Sequence, residues 1–145
     1  EHSRLGLEIE MPGPVGERNL YALHPRGCIL LCAKTESGLY DQIAAVLATG
    51  CEGVIEGMAL PDSLPRSVAA RLSTKSNAPV AGALIEGDAA RITTMLQQLA
   101  ERPGPIVTAH TASPDGYPLD WLIEEVSTSI NTTAAGGNAS LMTLA

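Results

Sequence analysis

The chain has 145 residues, of which 45% are hydrophobic, enough for the core of one domain of ordinary size. Its formal net charge of −7 argues against nucleic acid as a partner, because phosphate contacts need clustered lysine and arginine. With no Phe and one Trp, the core must be built from aliphatic side chains.

The cysteines are odd in number and lack the spacing of a disulfide framework or a zinc site. Cys28, Cys32 and Cys51 therefore indicate a reducing compartment, and we expect a cytoplasmic protein of bacterial type. No apolar run has the length of a membrane span. The chain begins at Glu1 without a signal peptide or an initiator Met, so we expect it to be processed or cut from something larger.

Residues 1–26 are predicted to form a leading segment with a short strand at Arg18–Leu23. Two prolines and two glycines between Met11 and Gly16 rule out a helix there. The sequence Pro25-Arg26-Gly27 then marks a turn into the next region.

Residues 27–125 alternate short apolar runs with segments of helical periodicity. The predicted strands are Cys28–Ala33, Gly53–Gly57, Pro79–Glu86 and Ile106–Thr111. The predicted helices are Gly38–Thr49, Leu64–Leu72, Ala89–Glu101 and Leu119–Glu125. This order predicts an α/β domain of Rossmann-like type, with an open, mainly parallel sheet and helices on both faces.

Two of these helices have an apolar face that we expect to point into the core. The residues of these faces are Leu39, Ile43, Val46 and Leu47 in the first helix, and Ile92, Met95, Leu96 and Leu99 in the third. Asp88 is the expected N-cap of the third helix, and Gly50 the expected stop of the first.

Residues 126–145 form an uncharged, β-prone tail whose first part alternates apolar and polar side chains. An uncharged strand edge invites association unless another chain or domain covers it, so we interpret the tail as a docking arm. The alternative is a frayed, Ser/Thr-rich terminus. The candidate docking residues are Val126, Thr128, Ile130, Asn131, Gly136, Gly137, Asn138, Leu141 and Met142.

No residue is predicted to be catalytic, to bind a cofactor or to bind a metal. The first strand–helix turn, Ala33–Gly38, lacks the Gly-rich dinucleotide fingerprint, and Glu36 stands where a pyrophosphate would lie. We therefore expect neither NAD nor FAD to bind. Cys28 and Cys32 are interpreted as buried core thiols.

His110 is predicted to end the fourth strand, at the edge where open α/β sheets bind ligands, but the sequence identifies no partner for it. The alternative function is therefore a free-standing nucleotide-binding domain or a small enzyme that uses this edge of the sheet.

Gly13–Asn19, reading GPVGERN, with the following Leu20–Gly27, resembles a segment near the end of long members of the proline utilization A family. Glu124–Met142, which contains NTTAAGGNASLM, and the closing Thr143–Ala145 resemble the C-terminus of the same family. The resemblance covers nearly the whole chain, although its middle section is generic α/β sequence.

This resemblance implies a non-catalytic C-terminal domain of a bifunctional enzyme that oxidises proline to glutamate. The parent's proline dehydrogenase barrel would hold FAD, and its aldehyde dehydrogenase module would use NAD. The domain would help to cover the tunnel between the two active sites, and its tail would pack beside the β-flap of the aldehyde dehydrogenase module. That module of the same polypeptide is thus the implied partner, and a second copy of the chain, held through the tail, is the other partner that we expect.

No catalytic residue is carried over from the family. Cys51 lies in Thr49–Gly53 and does not match the Gly-Gln-x-Cys motif of aldehyde dehydrogenases. Whether the parent has a DNA-binding domain, or associates peripherally with membranes, stays open at this point.

Overall fold

The structure is a computed structural model that describes residues 5–75 and 79–131. The chain forms two compact units: the described residues up to His24 together with those from Glu125 onward, and the residues Pro25–Glu124. The elements are, in chain order, Glu8–Met11 (β1), Glu17–Pro25 (β2), Cys28–Cys32 (β3), Glu36–Ala48 (α1), Glu52–Ile55 (β4), Arg66–Ala69 (α2), Leu72–Ser73 (β5), Val80–Ile85 (β6), Ala89–Ala100 (α3), Thr108–Thr111 (β7), the 3-10 turn Leu119–Leu122 and Ile123–Asn131 (β8).

The Pro25–Glu124 unit is built on a sheet of five strands in the order β5-β4-β3-β6-β7, and all its pairings are parallel. The chain leaves β3 towards one edge through β4 and β5, then crosses over to β6 and β7 on the other side. This reversal of strand order is typical of Rossmann-like folds. The predicted fold class is confirmed.

Strand β3 explains why the sequence has a continuous apolar run at this point. Ile29 and Leu31 point into a core shared with α1, whereas Leu30 and Cys32 point into a second core shared with α3. Because successive side chains of a strand alternate between faces, only an unbroken apolar run can fill both cores. Helices therefore cover both faces of the sheet, as predicted.

The inward faces of both long helices differ in part from the prediction. In α1, Leu47 is partly exposed. Gln42, which was not predicted to face the core, is fully buried, and its amide donates a hydrogen bond of 2.8 Å to the hydroxyl of Tyr117. In α3, Leu99 is buried but Leu96 is 45% exposed. The prediction included Leu47 and Leu96 because they are apolar and lie next to the core-facing positions. In α1 the buried face is shifted towards Gly38, Gln42 and Ala45, whereas in α3 only Leu99 is buried.

Three predicted boundaries are wrong for local reasons. The helix predicted at Leu64–Leu72 is a single turn, because Leu72 instead pairs with β4 as strand β5 and is buried. Ile106 lies outside β7 and is almost fully exposed, since the pairing with β6 begins at Thr108. The helix predicted at Leu119–Glu125 is a 3-10 turn, and β8 begins at Ile123.

The other unit is a three-stranded sheet in the order β1-β2-β8. Strand β1 was not predicted, and β2 is longer than the predicted Arg18–Leu23. Between β2 and β8, Tyr21 donates a hydrogen bond of 2.8 Å to Glu125, and Ser129 donates one to Glu17. The leading segment and the start of the tail therefore form one sheet.

Helix α3 supplies a matched test of the burial pattern. We expect Leu99→Ala to lower the free energy of unfolding by about 2–5 kcal/mol, because it empties a buried site. Leu96→Ala, the same change three residues earlier on the exposed side, should cost less than about 1 kcal/mol. Urea unfolding of both variants measures the difference, and equal losses would contradict the assigned faces.

Candidate functional site at the switch point of the parallel sheet

The candidate site is the edge of the parallel sheet where the strand order reverses, between the carboxyl ends of β3 and β6. In Rossmann-like folds this crevice receives the ligand, and the turn after the first strand holds its phosphates at a helix N-terminus. Here the corresponding turn is Ala33–Thr35, and the helix is α1, with Thr35 as its N-cap.

A carboxylate of the protein itself occupies this turn. Glu86, the residue after β6, accepts hydrogen bonds at Oε2 from the backbone N–H groups of Lys34, at 2.7 Å, and Thr35, at 2.9 Å. Its Oε1 accepts a hydrogen bond of 2.7 Å from the Thr35 hydroxyl, which in turn accepts one of 3.0 Å from the N–H of Gly38. The donors that a phosphate would use are thus engaged by Glu86.

Gly38 makes room for this carboxylate. A Cβ atom at position 38 would lie 2.0 Å from Oε2 of Glu86, which is too short for two atoms that are not bonded to each other. The single glycine of the predicted turn therefore serves the close approach of a side chain, and not the approach of a pyrophosphate. The expectation that Glu36 fills the phosphate position was wrong: Glu36 is an exposed residue at the start of α1.

Arg91 of α3 joins the same two strand ends from the other side of the carboxylate. Its Nε donates a hydrogen bond of 2.9 Å to the carbonyl of Glu86, and its Nη2 donates one of 3.2 Å to the carbonyl of Ala33. Asp88 caps α3 by accepting a hydrogen bond of 2.9 Å from the backbone N–H of Arg91, and its carboxylate lies 3.4 Å from Nζ of Lys34.

The pKa of Glu86 reflects these contacts. Partial desolvation acts to raise it, but the hydrogen bonds from Thr35 and Lys34 and the positive charge of Arg91 together hold the pKa below its usual range. The hydrogen bonds that α3 and Lys34 give to Asp88 likewise lower the pKa of that carboxyl. Glu86 is therefore an anion at neutral pH and meets the N-terminus of α1 as a phosphate would.

Two of the three cysteines, Cys32 and Cys51, are buried in the core of the Pro25–Glu124 unit. Cys32 is fully buried beside Glu56, and desolvation followed by this negative charge raises the pKa of its thiol to about 12. Cys51 is buried and donates a hydrogen bond of 3.2 Å to the carbonyl of Leu122. Cys28, which was expected to be buried, is only half-buried, because it is the first residue of β3.

His110 lies in β7, opposite Leu84 of β6, and its ring stacks on Trp121 with a centroid distance of 4.9 Å. Desolvation and the nearby Arg26 lower the pKa of the imidazole, with Asp120 opposing them. Its Nε2 is buried and has no hydrogen-bond partner among the described residues.

Four of the candidate docking residues lie on β8: Val126, Thr128, Ile130 and Asn131. Val126 is 37% and Ile130 41% exposed, and their spacing places them on one face of the strand together with Thr128. Among residues 5–75 and 79–131, β8 is the last strand of its sheet and pairs with β2 alone. The other candidates, Gly136, Gly137, Asn138, Leu141 and Met142, lie outside the described residues.

Two further properties of the described residues bear on function. Across residues 5–75 and 79–131, no three His, Cys, Asp or Glu side chains are grouped so that they could hold a metal ion. Within the same ranges, no helix combines the length and the apolar character that crossing a membrane requires.

Glu86, the central residue of the site, was not predicted from the sequence. Its signal was an acidic residue immediately after the buried run Val80–Ile85, at the carboxyl end of a strand. The sequence does not show that β6 pairs with β3. This pairing brings Glu86 to the turn before α1.

Fold and site together define a Rossmann-like α/β domain in which a side chain fills the position of the cofactor phosphate. No family model matches the chain. It is 52% identical to the bifunctional protein PutA of Rhizobium meliloti, a match that covers 98% of this chain and 13% of the relative. It is 37% identical to the bifunctional protein PutA of Salmonella typhimurium, over 98% of this chain and 12% of that protein.

Solved structures agree in fold. Two variants of Bradyrhizobium japonicum proline utilization A superpose with TM-scores of 0.55 and 0.54, at 20% and 22% identity. Each match covers 76% of this chain and 14% of the other. The chain is similar over nearly its whole length to a part of these PutA proteins, and it spans about one eighth of the length of the curated relatives that it matches.

The contacts of Glu86 predict a specific dependence of stability on pH. Because its pKa is lower in the folded than in the unfolded chain, Glu86 stabilises the fold above its ordinary pKa of 4.5, and this contribution is lost as the pH falls through the folded value. In Glu86→Gln the unfolding free energy should therefore fall less steeply below about pH 5 than in the wild type. Urea titrations at several pH values, with the exposed loop variant Asp62→Asn as control, test this; unchanged steepness in Glu86→Gln would contradict it.

Proposed function

We propose that this chain is the non-catalytic C-terminal domain of a bifunctional enzyme that converts proline to glutamate. It supports the aldehyde dehydrogenase module of the same polypeptide by covering the substrate-channelling tunnel and through contacts of its tail. The relatives named bifunctional protein PutA, at 52% and 37% identity, support the assignment to such an enzyme. The proposed setting is the bacterial cytoplasm, in keeping with the bacterial relatives.

The observation that carries the non-catalytic part of the proposal is the carboxylate of Glu86. An NAD or FAD pyrophosphate bound at the α1 turn would have to displace it from two backbone N–H groups and a hydroxyl. Two negative charges do not share such a site. The residues therefore do not fit a dinucleotide, and the FAD and NAD of the parent belong to its other modules.

The docking part of the proposal is supported by the sheet β1-β2-β8. Strand β8, an edge strand within the described part of the chain, carries the partly exposed Val126 and Ile130, and β1 carries the partly exposed Ile9 and Met11. A small sheet that leaves apolar side chains exposed is stabilised by a covering partner, and an edge strand can pair with another strand. In the parent the partner is the aldehyde dehydrogenase module; in the isolated chain a second copy takes its place.

Calorimetric titration tests the absence of cofactor binding. The wild type should give no binding heat with NAD or FAD at concentrations that would saturate a micromolar site. Glu86→Ala should gain binding of inorganic pyrophosphate, because it frees the N–H groups of Lys34 and Thr35, whereas Glu86→Gln keeps the bulk and should not. A micromolar constant for NAD in the wild type would overturn the non-catalytic assignment, and failure of Glu86→Ala to bind pyrophosphate would mean that Glu86 is not the obstacle.

Shortening the parent polypeptide tests the docking role. Deletion of residues 132–145, which leaves β8 intact, should reduce aldehyde oxidation and coupled turnover severalfold and leave proline oxidation largely unchanged, because the tail's proposed neighbour is the aldehyde dehydrogenase module. Val126→Lys with Ile130→Lys should act in the same direction, since it places charge on an apolar docking face. Ser127→Lys, on the opposite face of β8, is the control. Full coupled activity after the deletion would refute the docking arm, and equal loss of proline oxidation would indicate a general folding role.

A further inference from the structure

The Pro25–Glu124 unit has a concave surface that the proposed function does not use. It lies between the outer side of α1 and the loop that follows β7, and it encloses about 550 Å³. Its lining residues fall into three groups: alanines of the helix and the loop start, a polar turn, and Leu119. Its lining residues include Asp41, Ala44, Ala48, Ser113, Asp115 and Leu119.

The surface is concave because one wall is made of methyl groups and the other is a rigid turn. Ala44 and Ala48 face outward on α1, one helical turn apart, where longer side chains would fill the space. The turn is closed by reciprocal backbone hydrogen bonds between Ser113 and Gly116, of 2.9 and 3.0 Å. The hydroxyl of Ser113 also accepts a hydrogen bond of 3.2 Å from the N–H of Asp115, which fixes the backbone that carries this carboxylate.

The turn is also held from inside the domain. Tyr117 follows it directly, is 8% exposed, and accepts the 2.8 Å hydrogen bond from the fully buried Gln42 of α1. Because this pair ties the loop to the helix, the groove is formed before any partner arrives. Binding to a preformed surface costs little conformational entropy, because few side chains and loops have to become ordered.

The charge of the groove is of one sign. Asp41 on the helix and Asp115 on the turn are exposed, and no Lys or Arg is among the lining residues. Neither carboxylate takes part in an ion pair within the described part of the chain. Leu119, which is 42% exposed, adds an apolar contact at the rim. The complementary ligand is a cationic side chain next to a small apolar one.

We propose that this groove receives a segment of the remaining polypeptide that presents an arginine or lysine to Asp41 and Asp115 and a small apolar side chain to Ala44 and Ala48. The inference rests on the proposed function, in which the chain is one domain of a longer protein. Seven eighths of the length of the matched relatives lies outside this chain, and a tethered segment has a high effective concentration at the groove. The groove would thus add a second contact to that of the tail.

Hydrogen exchange of the full-length polypeptide tests the groove. With Asp41→Lys and Asp115→Lys together, amides of residues 112–119 should exchange about tenfold faster than in the wild type, because the cationic segment is expelled. Asp62→Lys with Glu101→Lys, two exposed carboxylates outside the groove, gives the same change in net charge and should leave this exchange unaltered. Ala48→Leu fills the groove without changing charge, suits a helix, and should also accelerate exchange at 112–119.

The outcomes separate this inference from the proposed function. Unchanged exchange in both groove variants, or the same acceleration in the control, overturns the groove contact even if deletion of residues 132–145 still impairs aldehyde oxidation. Accelerated exchange with full coupled activity after that deletion supports the groove and refutes the docking arm. Protection that depends on protein concentration would identify a second copy as the occupant and overturn the proposed intramolecular segment.

Discussion

The constraint on which the domain depends is the burial of β3 on both faces. Ile29 and Leu31 serve the core beneath α1, and Leu30 and Cys32 serve the core beneath α3. Since β3 is paired on both sides, with β4 and β6, its position fixes where the other strands of the parallel sheet lie. It also fixes the switch point, because the strand order reverses beside it. The candidate site is thus a consequence of the core.

At that switch point the geometry resembles that of a phosphate site, and the anion is a carboxylate of the protein itself. The N-cap Thr35, the glycine at position 38 and the start of α1 are the parts that Rossmann-like folds direct at a pyrophosphate. Glu86 satisfies the same donors with a carboxylate held at 2.7 and 2.9 Å from two N–H groups. The contact joins the ends of two strands and a helix start, so a feature used elsewhere for ligand binding contributes here to the stability of the domain.

The two units differ in how much apolar surface they leave exposed. The parallel sheet is enclosed by its own helices, whereas the sheet β1-β2-β8 leaves apolar residues partly exposed on its first and last strands. The side-chain hydrogen bond between Tyr21 and Glu125 lies at exposed positions of this sheet, where a hydrogen bond contributes little net stability. Such a sheet is suited to a polypeptide in which neighbouring domains supply the missing cover, in keeping with relatives about eight times the length of this chain.

The sequence by itself determined the fold class, the two long helices and the central strands of the parallel sheet. Apolar runs such as Cys28–Cys32, the cap Asp88 and the stop at Gly50 act over a few residues, so local chemistry decides them. Only the tertiary structure decided which residue fills the phosphate position, because Glu86 is far from Thr35 in sequence and reaches it through the pairing of β3 with β6. It likewise decided that Gln42 and not Leu47 is buried, since the hydroxyl of Tyr117, distant in sequence, makes a buried amide acceptable. Local patterns specify elements, whereas contacts between distant residues depend on packing that no short stretch of sequence contains.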